Sequence, residues 1–210
     1  MFYGLFEIVA AKAVGKKKFR FKNKLVSLDS TVIDLCLWPE ASHSLYDWAK
    51  FRRTKGAVKL HLVLDHDGYL PCFGIITDGK VADVKAAHQM HFAPGTIVVD
   101  GPRPAPDRGY NDYRLFAQWT DAGVYFVTRM KDNALFEVVE EREPPHNRGI
   151  LKDQIIRLTG PGAIHKCPHL LRRVEAVRED TGGLLVFLTN HQSLGASTIA
   201  AIYKDRWQTG

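Results

Sequence analysis

The sequence predicts an α/β fold: a mixed sheet flanked by helices, with an antiparallel β insertion in its second half. Three observations carry this. Residues 24–37 form an apolar and β-branched stretch, with Leu-Val-Ser-Leu-Asp-Ser-Thr-Val-Ile-Asp-Leu at 25–35, that reads as a strand with an aspartate in its middle. Residues 58–64 and 69–77 are two apolar runs around Asp65-His66-Asp67-Gly68, and Asp-Gly between such runs marks a β-hairpin. Beyond them helical and strand patterns alternate, the pattern of strands packed against helices.

The remaining elements follow in order. Residues 1–10 are apolar but lack a charged leading segment and are interrupted by Glu7, so they read as an amphipathic helix fragment rather than a signal peptide. Asp83 caps a short helix running to Met90. Thr96-Ile97-Val98-Val99 is a short buried strand, and Asn111 or Asp112 caps a helix that stops at Gly123. Residues 124–129 form a further strand. Between 136 and 190 the character changes. Strand-like pieces at 136–139, 154–158, 172–177 and 184–188 are separated by Glu-, Pro- and Gly-rich turns, the antiparallel insertion. Ser197 caps a final helix.

Composition narrows the function classes. The 210 residues carry 29 Lys and Arg against 23 Asp and Glu, a net charge of +6, which permits a polyanionic partner without demanding one. The excess is concentrated in residues 16–24 and 50–55. Lys18, Arg20, Lys22, Lys24, Lys50, Arg52, Arg53 and Lys55 are the candidate phosphate contacts, with Phe19, Phe21 and Phe51 able to stack or pack beside them. Such contacts give affinity without sequence choice. Three scattered cysteines argue against a disulfide framework and for a reducing compartment. No segment approaches 18 apolar residues, so no membrane span is expected and the location expected is cytoplasmic. His165-Lys166-Cys167-Pro168-His169 offers one cysteine and no Cys-x-x-Cys partner, a poor zinc set. No serine or cysteine nucleophile motif is present.

Two aspartates stand out. Asp29 lies inside an apolar strand, where a carboxylate is costly unless it is hydrogen-bonded, paired or bound to a metal. Asp107 opens Asp107-Arg108-Gly109-Tyr110, where Gly109 can supply an unusual backbone angle before a helix. Each has a plain alternative: a strand-end aspartate bonded to backbone amides, and a loop aspartate capping a helix. At the other end, Tyr203, Arg206 and position 210 share one helix face at about 100° per residue. A Tyr-x-x-Arg-x-x-x-Glu pattern would put a carboxylate beside the arginine there, but position 210 is glycine.

Residues 28–35, 48–56, 107–113 and 203–208 together resemble DDE transposases of the bacterial insertion-sequence-four family, over nearly the whole chain. The resemblance implies a ribonuclease-H-like core in which two aspartates and a glutamate hold two divalent ions, Mg²⁺ or Mn²⁺. Asp29 and Asp107 correspond to the aspartates and position 210 to the glutamate. Tyr203 and Arg206 belong to the glutamate's helix, with the arginine near DNA or the carboxylates. It further implies cleavage of DNA at element ends and strand transfer into target DNA. The partners are then DNA and a second subunit, as a homodimer or with an intact transposase, in a nucleoid-associated bacterial setting. On this reading residues 1–24 are a remnant helix and basic segment. Residues 25–135 form the catalytic core, 136–190 the β insertion and 191–210 the start of the catalytic helix.

Three departures from the family qualify this. Gly210 replaces the glutamate, so a truncated copy without catalytic activity is expected. Asp205 sits about 140° around the helix from position 210 and does not replace it. Glu137, Glu140, Glu141 and Glu143 are expected in a solvated turn. The family places its second aspartate directly after the apolar strand, where this chain has Asp100. The motif around Asp107 nonetheless favours Asp107, leaving Asp100 as the alternative. Finally, a separate N-terminal DNA-recognition domain is expected to be absent, with at most a helix in residues 2–13. The competing reading is a DNA-binding or dimerising fragment that inhibits an intact transposase.

Overall fold

The computed structural model describes residues 19, 21–35, 50–52, 55–68, 70–100, 112–146, 148–178 and 181–206. They fall into two compact units, the first within residues 1–21 and 26–91 and the second within 22–25 and 92–210. The fold is α/β, with strand-rich sheet and few helices, consistent with a ribonuclease-H-like architecture.

In the first unit, β1 (Leu25–Leu35) pairs antiparallel with β3 (Lys55–Asp65), placing Asp29 opposite Leu62 and Ser30 opposite His61. Strand β3 also pairs with β2 (Lys50–Arg52) and with β4 (Leu70–Asp78). The β3–β4 turn forms where the sequence predicts it. Asp65 Oδ1 accepts the Asp67 amide at 2.9 Å, and Gly68 takes φ 111°, which a side chain would strain.

Helix α1 (Asp83–Ala87) differs from expectation at both ends. Its N-cap is Ala82, without a side-chain cap, and it stops at Ala87 rather than Met90. Asp83 is drawn away from capping by stronger partners on β3: Lys59 Nζ lies 2.6 Å and His61 Nδ1 3.3 Å from its Oδ1. A charged partner outweighs a neutral amide for a carboxylate in so dry a place.

The second unit is a mixed sheet. Strand β5 (Ile97–Val99) runs parallel to β6 (Tyr125–Arg129), and the Ile97 amide donates to the Lys24 carbonyl at 2.8 Å. The remaining strands are antiparallel: β7 (Phe136–Arg142), β8 (Ile150–Leu158), β9 (Leu171–Val177) and β10 (Leu184–Thr189), in the order β5-β6-β10-β9-β8-β7. The last strand of the 136–190 stretch therefore lies between β6 and β9.

Glu137, Glu140 and Glu141 lie on β7, in strand rather than in a turn. They face Arg157, Arg142 and Gln154 across or along the strand pair. Charged side chains on an edge strand oppose unwanted pairing there. The sequence marks only the first half of this strand, 136–139, because its nearly uniform exposure leaves no alternation to follow through residues 140–142.

Helix α2 (Tyr113–Asp121) is capped by Asp112, whose carboxylate accepts the Arg114 amide at 2.7 Å, and Gly123 follows at φ 69°. It packs Leu115, Phe116 and Trp119 onto β6, with Phe116 stacked on Phe126 at 4.4 Å between ring centroids. Helix α3 (Ala163–Lys166) is a single turn preceding Cys167.

Helix α4 (Ala196–Asp205) has Gly195 at its N-cap, and Ser197 lies inside the helix without capping it. The Ile199 amide closes the first turn on the Gly195 carbonyl at 3.0 Å. Ala196, Ile199, Ile202 and Tyr203 form its buried stripe, and Tyr203 meets Phe187 of β10 at 5.0 Å.

The loop between β10 and α4 is held by side chains rather than by backbone pairing. Asn190 accepts the Phe126 amide at 3.0 Å and donates to the Val124 carbonyl and Thr120 hydroxyl at 2.9 Å each. His191 lies against the Tyr125 ring, and its Nδ1 accepts the Leu194 amide at 3.2 Å. Burial, and then the Arg172 charge, hold the His191 pKa below its ordinary 6.5.

The folded state therefore keeps this ring neutral where the unfolded chain takes up a proton. Its contribution to stability is complete above about pH 6.5 and declines as pH falls through the lower folded value. Urea midpoints measured at pH 7.5 and 5.5 are expected to fall more in this protein than in His191→Gln. Equal falls in both would disprove the coupling.

Candidate functional site

In the second unit the site begins at the C-terminal ends of the two parallel strands. Ligands of open α/β sheets gather at this end. Asp100 follows β5 directly, and its amide donates to the Val127 carbonyl at 2.9 Å, carrying the parallel pairing one residue past the strand. Its side chain is buried, with 2% of the residue exposed. Arg129 closes β6 at the same end, opposite Phe187 of β10. Through Phe187, the sheet meets Tyr203 of α4.

Tyr203 reports the charges collected here. Burial pushes its phenol pKa up to about 12 and the Asp100 charge adds to that, while Arg206, Arg129 and Arg178 oppose it. Near neutral pH the phenol is therefore protonated, a hydrogen-bonding group and not an anion. Arg206 lies one turn beyond Tyr203, and both it and Arg129 are partly exposed, while Arg178 is exposed. One carboxylate and three guanidinium groups thus act on a single buried tyrosine.

In the first unit, Asp29 sits mid-strand on β1, half-buried, and its Oδ1 accepts the Ser30 amide at 2.9 Å. The backbone bond of the alternative raised by the sequence is thus present for one oxygen, but in mid-strand rather than at a strand end. Behind it, on the Ser30–His61 face of the sheet, lies the Lys59–His61–Asp83 cluster. Burial opposes ionisation of Asp83, but the hydrogen bonds from His61 and Lys59, the Lys59 charge and a Ser30 hydrogen bond together hold its pKa below 3.8.

Other expected site residues have varied fates. Lys22 and Lys24 are exposed. Lys50 and Arg52 lie on β2 and Lys55 begins β3. Phe19 and Phe21 stack on one another at 5.3 Å. Lys18, Arg20, Arg53, Asp107, Gly210 and the expected helix at 2–13 lie outside the described residues. Cys167 is buried, which raises its thiol pKa, and His169 lies 2.9 Å from Asp121. Among the described residues no three His, Cys, Asp or Glu side chains are grouped as metal ligands. No helix among them is long and apolar enough to cross a membrane.

Sequence reasoning missed Arg129 and Arg178. Arg129 stood in plain view as the last letter of Val124-Tyr125-Phe126-Val127-Thr128-Arg129, a cation closing a buried strand. Arg178 carried no such signal, because its place depends on how β9 pairs.

A family model described as the transposase DDE domain matches residues 20–209. The chain belongs to the DDE transposase family.

Among curated relatives, this DDE transposase chain is 32% identical over 185 residues to y4zB of Sinorhizobium fredii, named as a transposase. The match covers 86% of this chain and 48% of the relative. It is 24% identical over 193 residues to a Geobacillus stearothermophilus protein named as a transposase for insertion sequence element IS5377, covering 91% and 47%. The chain thus spans about half the length of the curated relatives it matches.

DDE transposases use divalent metal ions. The donors available here suit such ions: Asp29 and Asp100 offer hard carboxylate oxygens, the ligand type that Mg²⁺ and Mn²⁺ prefer. The Cys167 region, with its thiol buried and His169 engaged with Asp121, does not suit them.

Proposed function

We propose that this chain supplies the metal-binding and DNA-contacting part of an insertion-sequence transposase, with Asp29 and Asp100 as metal-ligating carboxylates. The observation that carries the reading is Asp100, a buried carboxylate directly after a parallel strand, whose charge acts on Tyr203 together with those of Arg206, Arg129 and Arg178. Such a charge is tolerated in a dry site when cations or a metal compensate it. The motif around Asp107 makes that residue the competing ligand. Bound divalent ions, two in the intact family site, supply Lewis-acid activation of an attacking oxygen and stabilisation of a leaving one. Asp100 would hold such an ion in the second unit, the family resemblance assigns the same role to Asp29 in the first, and Arg129, Arg178 and Arg206 would neutralise phosphate charge. Tyr203, protonated, offers a hydrogen bond.

Gly210 supplies no carboxylate where the family pattern has its glutamate. On this reading the chain binds DNA and a divalent ion but cuts slowly, because the transition state lacks one ligand group. Gly210 also favours the second reading, a DNA-binding or dimerising chain that inhibits an intact transposase. Cleavage of a labelled element-end duplex with Mn²⁺, at the rate of a relative carrying the glutamate, would exclude both the slow-cutting reading and the inhibitor.

DNA binding itself is tested by salt. The logarithm of the binding constant for a duplex is expected to fall linearly with the logarithm of salt concentration, and Arg206→Ala or Arg129→Ala to lower the slope by about 1 each. Slopes equal to that of the unsubstituted chain would remove these arginines from the interface.

A further inference from the structure

The Lys59–His61–Asp83 cluster is not used by the proposed function, and it joins β3 to α1 in the first unit. His61 is fully buried. One ring nitrogen lies 2.9 Å from the Thr77 hydroxyl, which itself donates to the Asp78 carbonyl, so the His61 Nε2–H is the donor of that pair. The other lies 3.3 Å from Asp83, which Lys59 also meets at 2.6 Å. Three strands and a helix are therefore tied at one point: β1 by Ser30, β3 by Lys59 and His61, β4 by Thr77, and α1 by Asp83.

Burying this many polar groups is costly, and an apolar patch would hold the helix as well or better. What the cluster provides that an apolar patch cannot is direction. Ser30 is the link. Side chains alternate along a strand, so Ser30 points to the face of His61 while Asp29 points to the other. Ser30 shares the face of His61, whose Nδ1 lies 3.3 Å from Asp83 Oδ1, and its side chain is among the groups that hold the Asp83 carboxyl below its ordinary pKa. The Ser30 amide donates to Asp29 Oδ1 at 2.9 Å. One residue thus holds a carboxylate on each side of the sheet, and the geometry of its peptide sets how the Asp29 carboxylate is turned.

We propose that Lys59, His61 and Asp83 form a positioning network that orients the Asp29 carboxylate through Ser30, from the opposite face of the sheet. The inference rests on the reading of Asp29 as a metal ligand. It assigns to Ser30 and Asp83 the role that outer partners play for metal-binding carboxylates, fixing the orientation in which the ligand meets the ion.

The test is titration of the full chain with Mn²⁺ alone, followed by electron paramagnetic resonance of the free ion, with thermal melting of each variant alongside. Ser30→Ala keeps the amide and removes only the hydroxyl. It is expected to raise the Mn²⁺ dissociation constant by about tenfold, at the lower end of outer-partner effects. Ser30→Thr, which restores a hydroxyl, is expected to recover most of the affinity, and Asp83→Asn to move it in the same direction as Ser30→Ala. A merely structural cluster predicts the opposite pattern, a lower melting temperature in Ser30→Ala with an unchanged dissociation constant. That result, with Asp29→Asn still weakening binding, overturns the network while leaving the metal-site reading intact. If Asp29→Asn binds Mn²⁺ as tightly as the unsubstituted chain, Asp29 is not a ligand and both fall together.

Discussion

Replacing Arg172 with leucine is expected to destabilise the protein by about 3–5 kcal/mol, the cost of stripping one partner from a buried ion pair. Arg172 of β9, opposite Ile155, and Asp153 of β8, opposite Val174, are diagonal neighbours on one face of the strand pair, both buried. Nε donates to Oδ1 at 2.7 Å and Nη2 to Oδ2 at 2.6 Å, a two-pronged bond that lysine cannot copy. The third nitrogen reaches the loop before α4, donating to the carbonyls of Gln192 at 3.1 Å and of Leu194. Arg142 of β7 adds a bond to the Gln192 carbonyl at 2.6 Å.

Loss of Arg172 thus leaves the Asp153 charge buried and uncompensated, and it frees the segment that launches α4, the helix of Tyr203 and Arg206. Urea unfolding measures the loss. The double variant Asp153→Leu with Arg172→Leu is expected to recover part of it, because the stranded charge is gone. Full recovery would show that the loop carbonyls gain nothing from Arg172. A loss under about 1 kcal/mol in the single variant, the size of a surface pair, would contradict the burial argument.

Exchanging Asp100 for asparagine is expected to weaken Mn²⁺ binding at least tenfold, beyond the effect of disturbing an outer partner, since a ligand itself is lost. Asp107→Asn is expected to leave it near the unsubstituted value. The size difference between the side chains is negligible, so the comparison isolates the charge. The physical ground is position. Asp100 continues the parallel pairing of β5 with β6 and is held in a buried place, where the charges of Arg206, Arg129 and Arg178 act beside it on Tyr203. The reverse outcome, Asp107→Asn weak and Asp100→Asn intact, would return the ligand role to the residue with the stronger motif. Circular dichroism of both variants separates lost binding from lost folding.

Much of this protein is legible in its sequence. Strand β1 emerges from an apolar β-branched run, the β3–β4 hairpin from Asp65-His66-Asp67-Gly68, and the end of α2 from Gly123. These signals are local: side-chain period, turn residues that tolerate unusual angles, and caps that satisfy the next few amides. The DDE family was legible for the same reason, since its motifs are short runs of neighbouring residues. Local logic also misled. Asp83 and Ser197 both look like helix caps, and neither is one, because the first is claimed by Lys59 and His61 and the second stands inside a turn begun at Gly195.

By itself the sequence determined the class of fold, the extent of most strands, the family and the identity of Asp29 as a strand carboxylate. Only the tertiary structure decided that Asp100, Arg129, Arg178 and Arg206 act on one tyrosine, that Arg172 binds Asp153 and the α4 loop together, and that Ser30 links Asp29 to a buried cluster. Each of these depends on strand register or on which strand lies beside which. A one-residue slip would turn every side chain to the other face, and no spacing along the chain records that choice.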